Sequence, residues 1–250
     1  MEFRKIFDTV PEKFDKWRPR YCDEVFEYII KHTHLNSEKF VLEIGPGTGQ
    51  ATEPILKTGC NYLAIELGEH LAEYTKEKFI SYLNFQIVNA DFETHNFGEQ
   101  RFDLVFSAAT LQWIPEQIAF KKSFDLLNSG GVLAMLRMHG DYKTPNEDLF
   151  REIQKVYTDY FHPEIPYTQK LIYSNALNYG FTDFQRLEFY SRREFTADDY
   201  VEYLGTHSDH IVLREPYQTK LYEGIRAAIK NAGNKIELKD TVVLCLARKL

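Results

Sequence analysis

Residues 45 to 49 read Gly-Pro-Gly-Thr-Gly, three glycines at alternate positions, directly after the apolar run Val41-Leu42-Glu43-Ile44. Glycine reaches backbone angles closed to other residues and has no Cβ to hold a ligand off the main chain. A buried strand running through such a loop into a helix places the free N–H groups of the first helical turn under the loop. Mononucleotides, dinucleotides and other adenosine ligands all bind at turns of this kind. A P-loop would close on Gly-Lys-Ser/Thr, which is absent here. A dinucleotide fingerprint wants its third glycine, or an alanine, three positions after the second, where this chain has Gln50; its third glycine, Gly49, comes early. Two acids close later apolar runs: Glu66 after Asn61-Tyr62-Leu63-Ala64-Ile65, and Asp91, followed by Phe92, after Phe85-Gln86-Ile87-Val88-Asn89-Ala90. An acid roughly 20 residues beyond the glycine loop is the usual partner of ribose hydroxyls in open α/β sheets. Glu66 is therefore expected to hold a ribose.

Groups able to move a proton are few. His139 follows the fifth apolar run, at the sheet edge that carries function, and His207 lies further along; both are general-base candidates. His207 and His210 flank Ser208 and Asp209, but two histidines three apart with one acid, outside a dependable helix, make a weak ligand set, and no metal is expected. Arg137 and the pair Arg192-Arg193 could meet an acidic substrate, or be solvated or paired.

The stretch Val41-Leu42-Glu43-Ile44-Gly45-Pro46-Gly47-Thr48-Gly49 resembles motif I of the class I S-adenosylmethionine-dependent methyltransferases: a hydrophobic pair, an acid, an apolar residue, then G-x-G-x-G. The resemblance implies S-adenosyl-L-methionine as cofactor, with S-adenosyl-L-homocysteine as product. It carries Glu43, Gly45, Gly47 and Gly49 over as cofactor-binding positions, together with Glu66 and Leu67 at the ribose. Asp91 would meet the adenine amino group and Phe92 would pack on the ring. Ala108 and the pair Gln112-Trp113 follow the fourth strand, in a run, Ala108-Ala109-Thr110-Leu111-Gln112-Trp113-Ile114-Pro115, that looks like the type 11 and trans-aconitate methyltransferase-like branches. Near the start, Phe14-Asp15-Lys16-Trp17-Arg18-Pro19 resembles a segment that folds over the cofactor in related enzymes. Trp17 would then cover the methionyl end and Arg18 would meet its carboxylate.

These residues need a frame. Val25, Phe26, Ile29 and Ile30 repeat with helical spacing and predict a helix over 22–33. From there strands (40–44, 61–66, 85–90, 102–107, 131–137) alternate with helices (50–58, 69–80, 116–127), the last helix stopped by Gly130-Gly131. Such alternation argues for a parallel sheet with helices on both faces. After Gly140 the rhythm changes to one amphipathic helix from Leu149 to Phe161 and a second helical stretch to Asn178; strand six covers 184–195, a helix carries Tyr217 to Ala232, and strand seven covers 241–247. The expected fold is a doubly wound α/β, seven-stranded, mostly parallel Rossmann-like sheet in one domain over residues 1–250. Residues 1–20 would be a lid segment and 141–178 a helical insertion covering the substrate site. The family places the last strand antiparallel between strands five and six.

At 250 residues, with 44% hydrophobic and 27% charged positions, the chain can bury one sizeable core. A net charge of −7 disfavours a phosphate backbone as partner, so no nucleic acid is expected and a small-molecule acceptor is. The 16 tyrosines and 19 phenylalanines exceed what a core of this size asks for and could line its pocket. Cys22, Cys60 and Cys245 are odd in number and scattered, which fits a reducing, cytoplasmic setting. Met1-Glu2-Phe3-Arg4-Lys5 precedes no apolar core and no run approaches ~18 apolar residues, so neither a signal peptide nor a membrane span is expected. Nothing in the sequence sets the oligomeric state. Carboxylates need no base to accept a methyl group, whereas phenols, amines and carbon acids do. Asn/Asp-Pro-Pro-aromatic, the mark of exocyclic-amine methylation, is replaced by Ala108-Ala109-Thr110-Leu111, and no cysteine lies where pyrimidine C5 chemistry would need one. Two rival readings stand beside the enzyme: a non-catalytic protein that binds S-adenosylmethionine on the same fold, and a nicotinamide-dependent oxidoreductase, against which Gln50 speaks.

Overall fold

The computed structural model describes residues 3–141, 146–163 and 171–250. Seven strands form one sheet: β1 (Phe40–Ile44), β2 (Asn61–Glu66), β3 (Phe85–Asn89), β4 (Phe102–Ala108), β5 (Leu127–Asp141), β6 (Thr182–Phe195) and β7 (Ile236–Arg248), in the order β3-β2-β1-β4-β5-β7-β6. β1 to β5 pair in parallel, and β7 enters antiparallel between β5 and β6. Val41, Leu42, Glu43 and Ile44 are all buried, because a parallel central strand is covered on both faces. The covering helices are α1 (Pro11–Trp17), α2 (Asp23–Thr33), α3 (Thr52–Leu56), α4 (Glu69–Lys78), α5 (Glu116–Leu126), α6 (Glu147–Tyr160), α7 (Ala197–Leu204), α8 (Ser208–Ile211) and α9 (Tyr217–Asn231). Short 3-10 turns cover Phe3–Thr9, Leu111–Trp113 and Tyr173–Tyr179. Among the described residues no helix is long and apolar enough to cross a membrane.

Each face has its own core. Val25, Phe26 and Ile29 of α2 with Ile55 and Leu56 of α3 pack on one side. Ala119, Phe120 and Leu126 of α5, with Phe92, Phe97 and the 173–179 turn, pack on the other. A third core forms where the sheet overhangs. β5, β6 and β7 run 15, 14 and 13 residues, against 5, 6 and 5 for β1, β2 and β3, so their ends project past the carboxyl edge of the parallel strands. Ile236 and Leu238 at that end are sealed by Leu149 and Ile153 of α6, Tyr200 and Leu204 of α7, and Leu221 and Ile225 of α9. This overhang is what builds a roof over the site.

The sequence reading needs four corrections here. Gly130-Gly131 does not end a helix: α5 stops at Leu126 and runs straight into β5. The glycines instead make a bulge, for Phe102 pairs with Leu127 but Leu104 pairs with Val132, and Gly130 has φ +79°. Strands five and seven are much longer than the apolar runs show, since their outer halves carry polar residues. The second helical stretch is a 3-10 turn, Tyr173–Tyr179. Finally, His207 caps α8 and His210 lies within it, so the pair does stand on a helix.

Candidate functional site

A cavity of about 400 Å³ opens at the carboxyl ends of β1, β2, β4 and β5. Its floor is the glycine loop. Gly45 (φ +66°), Gly47 (φ +60°) and Gly49 (φ +81°) all hold left-handed angles. A Cβ on Gly45 would lie 2.3 Å from Thr110 Cγ2, and one on Gly49 2.4 Å from Phe79 Cε2, so these two glycines serve packing as well as conformation. Gly45 and Gly47 line the cavity; Gly49 does not, and its part is to let Phe79 close behind the loop.

Glu66 ends β2 at the cavity wall and is only 6% exposed. Its Oε2 accepts from the Gly47 N–H at 3.0 Å and its Oε1 from the Gly68 N–H at 2.9 Å. Each oxygen keeps a lone pair for a ligand hydroxyl. Burial outweighs these two bonds and lifts its pKa to about 7. Leu67 lies beside it on the cavity wall. Asp91 and Phe92 line the next stretch, as the adenine end requires. Asp91 is held by Arg4 at 2.9 Å, and the same guanidinium also grips Glu93, so the 3-10 turn Phe3–Thr9 is latched down over the site. Ala108, Gln112 and Trp113 form the far wall. Gln112 donates to the Ala109 carbonyl at 2.8 Å, and Trp113 meets Phe3 and Phe7 edge-on at 5.7 and 5.8 Å.

Three expected cofactor residues lie elsewhere. Trp17, the last residue of α1, packs on the third core under Lys16, while Phe14 of the same helix lines the cavity. Glu43 is fully buried below the loop, where it accepts from Thr52 Oγ1 at 2.6 Å and Tyr62 OH at 2.7 Å. It ties β1 to β2 and α3, and burial raises its pKa to about 7. Gly49 is the third. His139 also misses the cavity; it stands on β5 opposite Thr241, near Arg186 and Glu188, and burial and Arg137 lower its pKa. Arg18 does line the cavity, stacked 5.0 Å over Phe14, with Nη2 donating to the Thr206 carbonyl at 2.7 Å.

The roof is the overhang. Arg193, Tyr203, His207, Ser208, Asp209 and Asp240 close the cavity from the β6–β7 side. Arg193 clasps buried Asp240, with Nη2 at 2.9 Å from Oδ1, and reaches the Tyr203 hydroxyl at 3.2 Å. Burial, with help from Arg18 and His210, pushes His207 well below the ordinary histidine range, so it is neutral at physiological pH. Within 141–178 no described residue lines this cavity: α6 packs on α9 in the third core, and residues 142 and 167 lie outside the described residues. Among described residues, the covering expected of that insertion is done by the segment from α7 to α8 and by residues 4–19. The sequence reading does not single out Phe7, and it names Phe14 only as the start of the segment whose Trp17 and Arg18 are given the roles. Asp240 gave no signal, since it stands among Glu237, Lys239 and Thr241 just before the apolar run 241–247.

The donor set fits an adenosine ligand on this chain's own geometry. A buried carboxylate with spare lone pairs faces the cavity, an acid and an aromatic follow one strand over, and the left-handed glycines keep the main chain open. Residues 42–135 match the family described as Methyltransferase domain, type 11. The chain is 29% identical over 163 residues to an rRNA adenine N-6-methyltransferase of Limosilactobacillus reuteri, covering 58% of this chain and 63% of that one. It is 31% identical over 135 residues to malonyl-[acyl-carrier protein] O-methyltransferase 1 of Ilyobacter polytropus, covering 53% and 47%. The match spans about half to two thirds of the length of these two curated relatives. In fold it is similar to Haemonchus contortus phosphoethanolamine N-methyltransferase 2, solved with phosphomonomethylethanolamine and S-adenosylhomocysteine (TM-score 0.59, 14% identity, 100% of this chain and 60% of that one). The YcgJ protein of Bacillus subtilis is similar as well (TM-score 0.59, 13% identity, 90% and 98%). Glycine loop, sheet order and the domain match over residues 42–135 agree in supporting a class I S-adenosylmethionine-dependent methyltransferase.

Proposed function

We propose that the protein transfers a methyl group from S-adenosylmethionine to a small organic acceptor enclosed in the roofed cavity. One observation carries this: the cavity joins the glycine loop and Glu66 to a compartment under Arg193, Tyr203 and His207 that a cofactor alone does not need. Bound there, the cofactor would supply an already activated methyl group on sulfur. The protein's own work is then alignment and exclusion of water. Glu66 fixes the ribose, Asp91 and Phe92 the adenine, and Arg18 the methionyl carboxylate. Phe7, Phe14 and Trp113 keep water from the reacting line. Arg137 lines the same cavity and has no hydrogen bond or ion pair among the described residues, which suits an acceptor bearing an acidic group. A carboxylate acceptor needs no base, and neutral His207 is the group on the wall able to take a proton from a hydroxyl.

The rRNA methyltransferase relatives favour a second acceptor, a base in RNA. The net charge of −7 and a roof that closes over the site argue against it. The test is incubation with methyl-labelled S-adenosylmethionine and a panel of small carboxylic acids, phenols and amines, with ribosomal RNA as a separate arm. Label in a small acid supports the reading. Label only in RNA overturns the acceptor class, and S-adenosylhomocysteine binding without transfer to any arm favours the non-catalytic binder.

A further inference from the structure

Beneath the roof, α8 holds a buried polar knot of which methyl transfer to a carboxylate uses nothing and transfer to a hydroxyl only His207. His207, Asp209 and His210 each offer a ligand atom, and these atoms lie within 4.8 Å of one another. Ligand atoms about 2.1 Å from a shared tetrahedral ion lie about 3.4 Å apart, so closing on an ion asks the farthest pair to approach by up to about 1.4 Å. His210 is 2% exposed, its Nε2 is fixed by the Tyr157 hydroxyl at 3.1 Å, and its Nδ1 has no hydrogen-bond partner among the described residues. The ring of Tyr222 stacks on it at 5.9 Å with its hydroxyl likewise buried and without a partner. Buried polar atoms left in this condition cost of the order of 1–3 kcal/mol each unless something occupies them. A ring nitrogen anchored by an outside hydroxyl, leaving the other nitrogen bare, is how metal-binding histidines are commonly oriented.

We propose that His207, Asp209 and His210 form a binding site for one divalent transition-metal ion of the zinc or cobalt kind at the acceptor end of the cavity. Two imidazoles and one carboxylate suit such borderline ions better than magnesium or calcium, which prefer all-oxygen shells. His207 and Asp209 line the cavity while His210 lies behind them, so the open side of the ion faces the acceptor compartment. The nearby cations do not block it. Arg193 is neutralised by Asp240, and Arg18 is drawn onto the rings of Phe7 and Phe14 and the Thr206 carbonyl. Asp209 supplies the local negative charge. An ion placed there would ligate an acceptor oxygen and favour its deprotonated form, and would replace His207 as the means of removing the proton, since it occupies that ring's lone pair. The spacing looked weak in the sequence because nothing there showed that α8 would bring all three groups together.

The test uses full-length protein stripped with a chelator. Titration with Zn²⁺ by calorimetry should give one ion per chain at micromolar affinity or tighter, and Co²⁺ should develop visible absorption. Asp209→Asn and His210→Ala should each weaken Zn²⁺ at least tenfold, with the thermal shift given by S-adenosylhomocysteine reporting that each variant is folded. Should a variant not fold, ring resonances of the wild-type histidines decide, and only His207 and His210 should move at one equivalent. Failure of Zn²⁺ to bind at that strength, affinity unchanged in the folded variants, or shifts confined to other histidines overturns the site. None of these readouts requires methyl transfer, so the metal site and the activity fail independently.

Discussion

Glu66→Gln keeps the shape of a side chain and removes its charge. In the cofactor-free protein the carboxylate accepts two backbone N–H bonds, yet burial holds its pKa near 7 against an ordinary 4.5. A raised carboxyl pKa means that the folded state binds the proton more tightly than the unfolded chain. Its contribution to stability is therefore intact below pH 4.5 and is lost as pH rises to 7, a difference of about 3 kcal/mol at most. Ribose hydroxyls donate to the ionised form, so a bound cofactor must drive off the proton whenever the pH lies below 7. Affinity should follow the ionised fraction and be about tenfold lower at pH 6 than at pH 8. The glutamine variant should lose that dependence. It forfeits one charge-assisted bond of about 1.5–3 kcal/mol and turns an amide N–H₂ toward a backbone donor. At pH 8 its affinity should fall about 10- to 150-fold, while its cofactor-free melting temperature should match or exceed that of the wild type. The assay is calorimetry with S-adenosylhomocysteine at pH 6, 7 and 8, with Glu43→Gln as the control that keeps the slope. Equal wild-type affinity at pH 6 and pH 8, or a glutamine variant that binds as tightly as the wild type, would refute the assignment.

Other perturbations separate packing from binding. Phe14→Ala should weaken S-adenosylhomocysteine severalfold with a small change in urea midpoint, while Trp17→Ala should do the reverse, since only Phe14 faces the cavity. Gly45→Ala, with φ +66° and Thr110 Cγ2 2.3 Å from the new Cβ, should cost about 1–3 kcal/mol in urea unfolding, and Thr110→Ser should recover part of it. Arg193→Ala leaves Asp240, 1% exposed, without its partner and should cost about 3–5 kcal/mol, whereas the double change to Arg193→Met with Asp240→Leu should cost much less. Hydrogen exchange should show residues 3–20 gaining protection when S-adenosylhomocysteine binds, because their hold on the site includes solvent-accessible ion pairs such as Arg4–Asp91. Equally slow exchange with and without ligand would mean that the segment is a fixed cap.

The parts of the site assigned to the cofactor were legible because their chemistry demands residue types that stability alone disfavours. Three alternate glycines after a buried strand weaken a fold, so Gly45 and Gly47 stood out, and Glu66 followed at its distance. The sheet was legible as well, since the middles of β1 to β5 are mostly apolar and most of them are separated by helical periodicity. The roof was not. Arg193 and Asp240 meet only because β6 and β7 pair from Thr182–Arg248 to Phe195–Ile236, and an arginine whose partner is 47 residues away looks like any surface arginine. Glu43 misled in the other direction. An acid inside motif I invites a ligand, but it lies fully buried below the loop, where Thr52 and Tyr62 both donate to its Oε2. Trp17 and Phe14 sit on one short helix, and which of them faces inward depends on where the helix docks.

β7 lies between two strands that the ribosome makes before it, and this orders assembly in time. Until β7 emerges, β5 and β6 present facing edges with no partner for up to 15 residues, and the third core lacks Ile236 and Leu238. Unpaired edges of that length are prone to join other chains. The nascent protein can settle β1 to β4 and load its nucleotide end early, but it cannot shape the acceptor compartment until the wedge strand slides in. Substitutions that slow this insertion should therefore lower the yield of folded protein while leaving the properties of the surviving molecules unchanged.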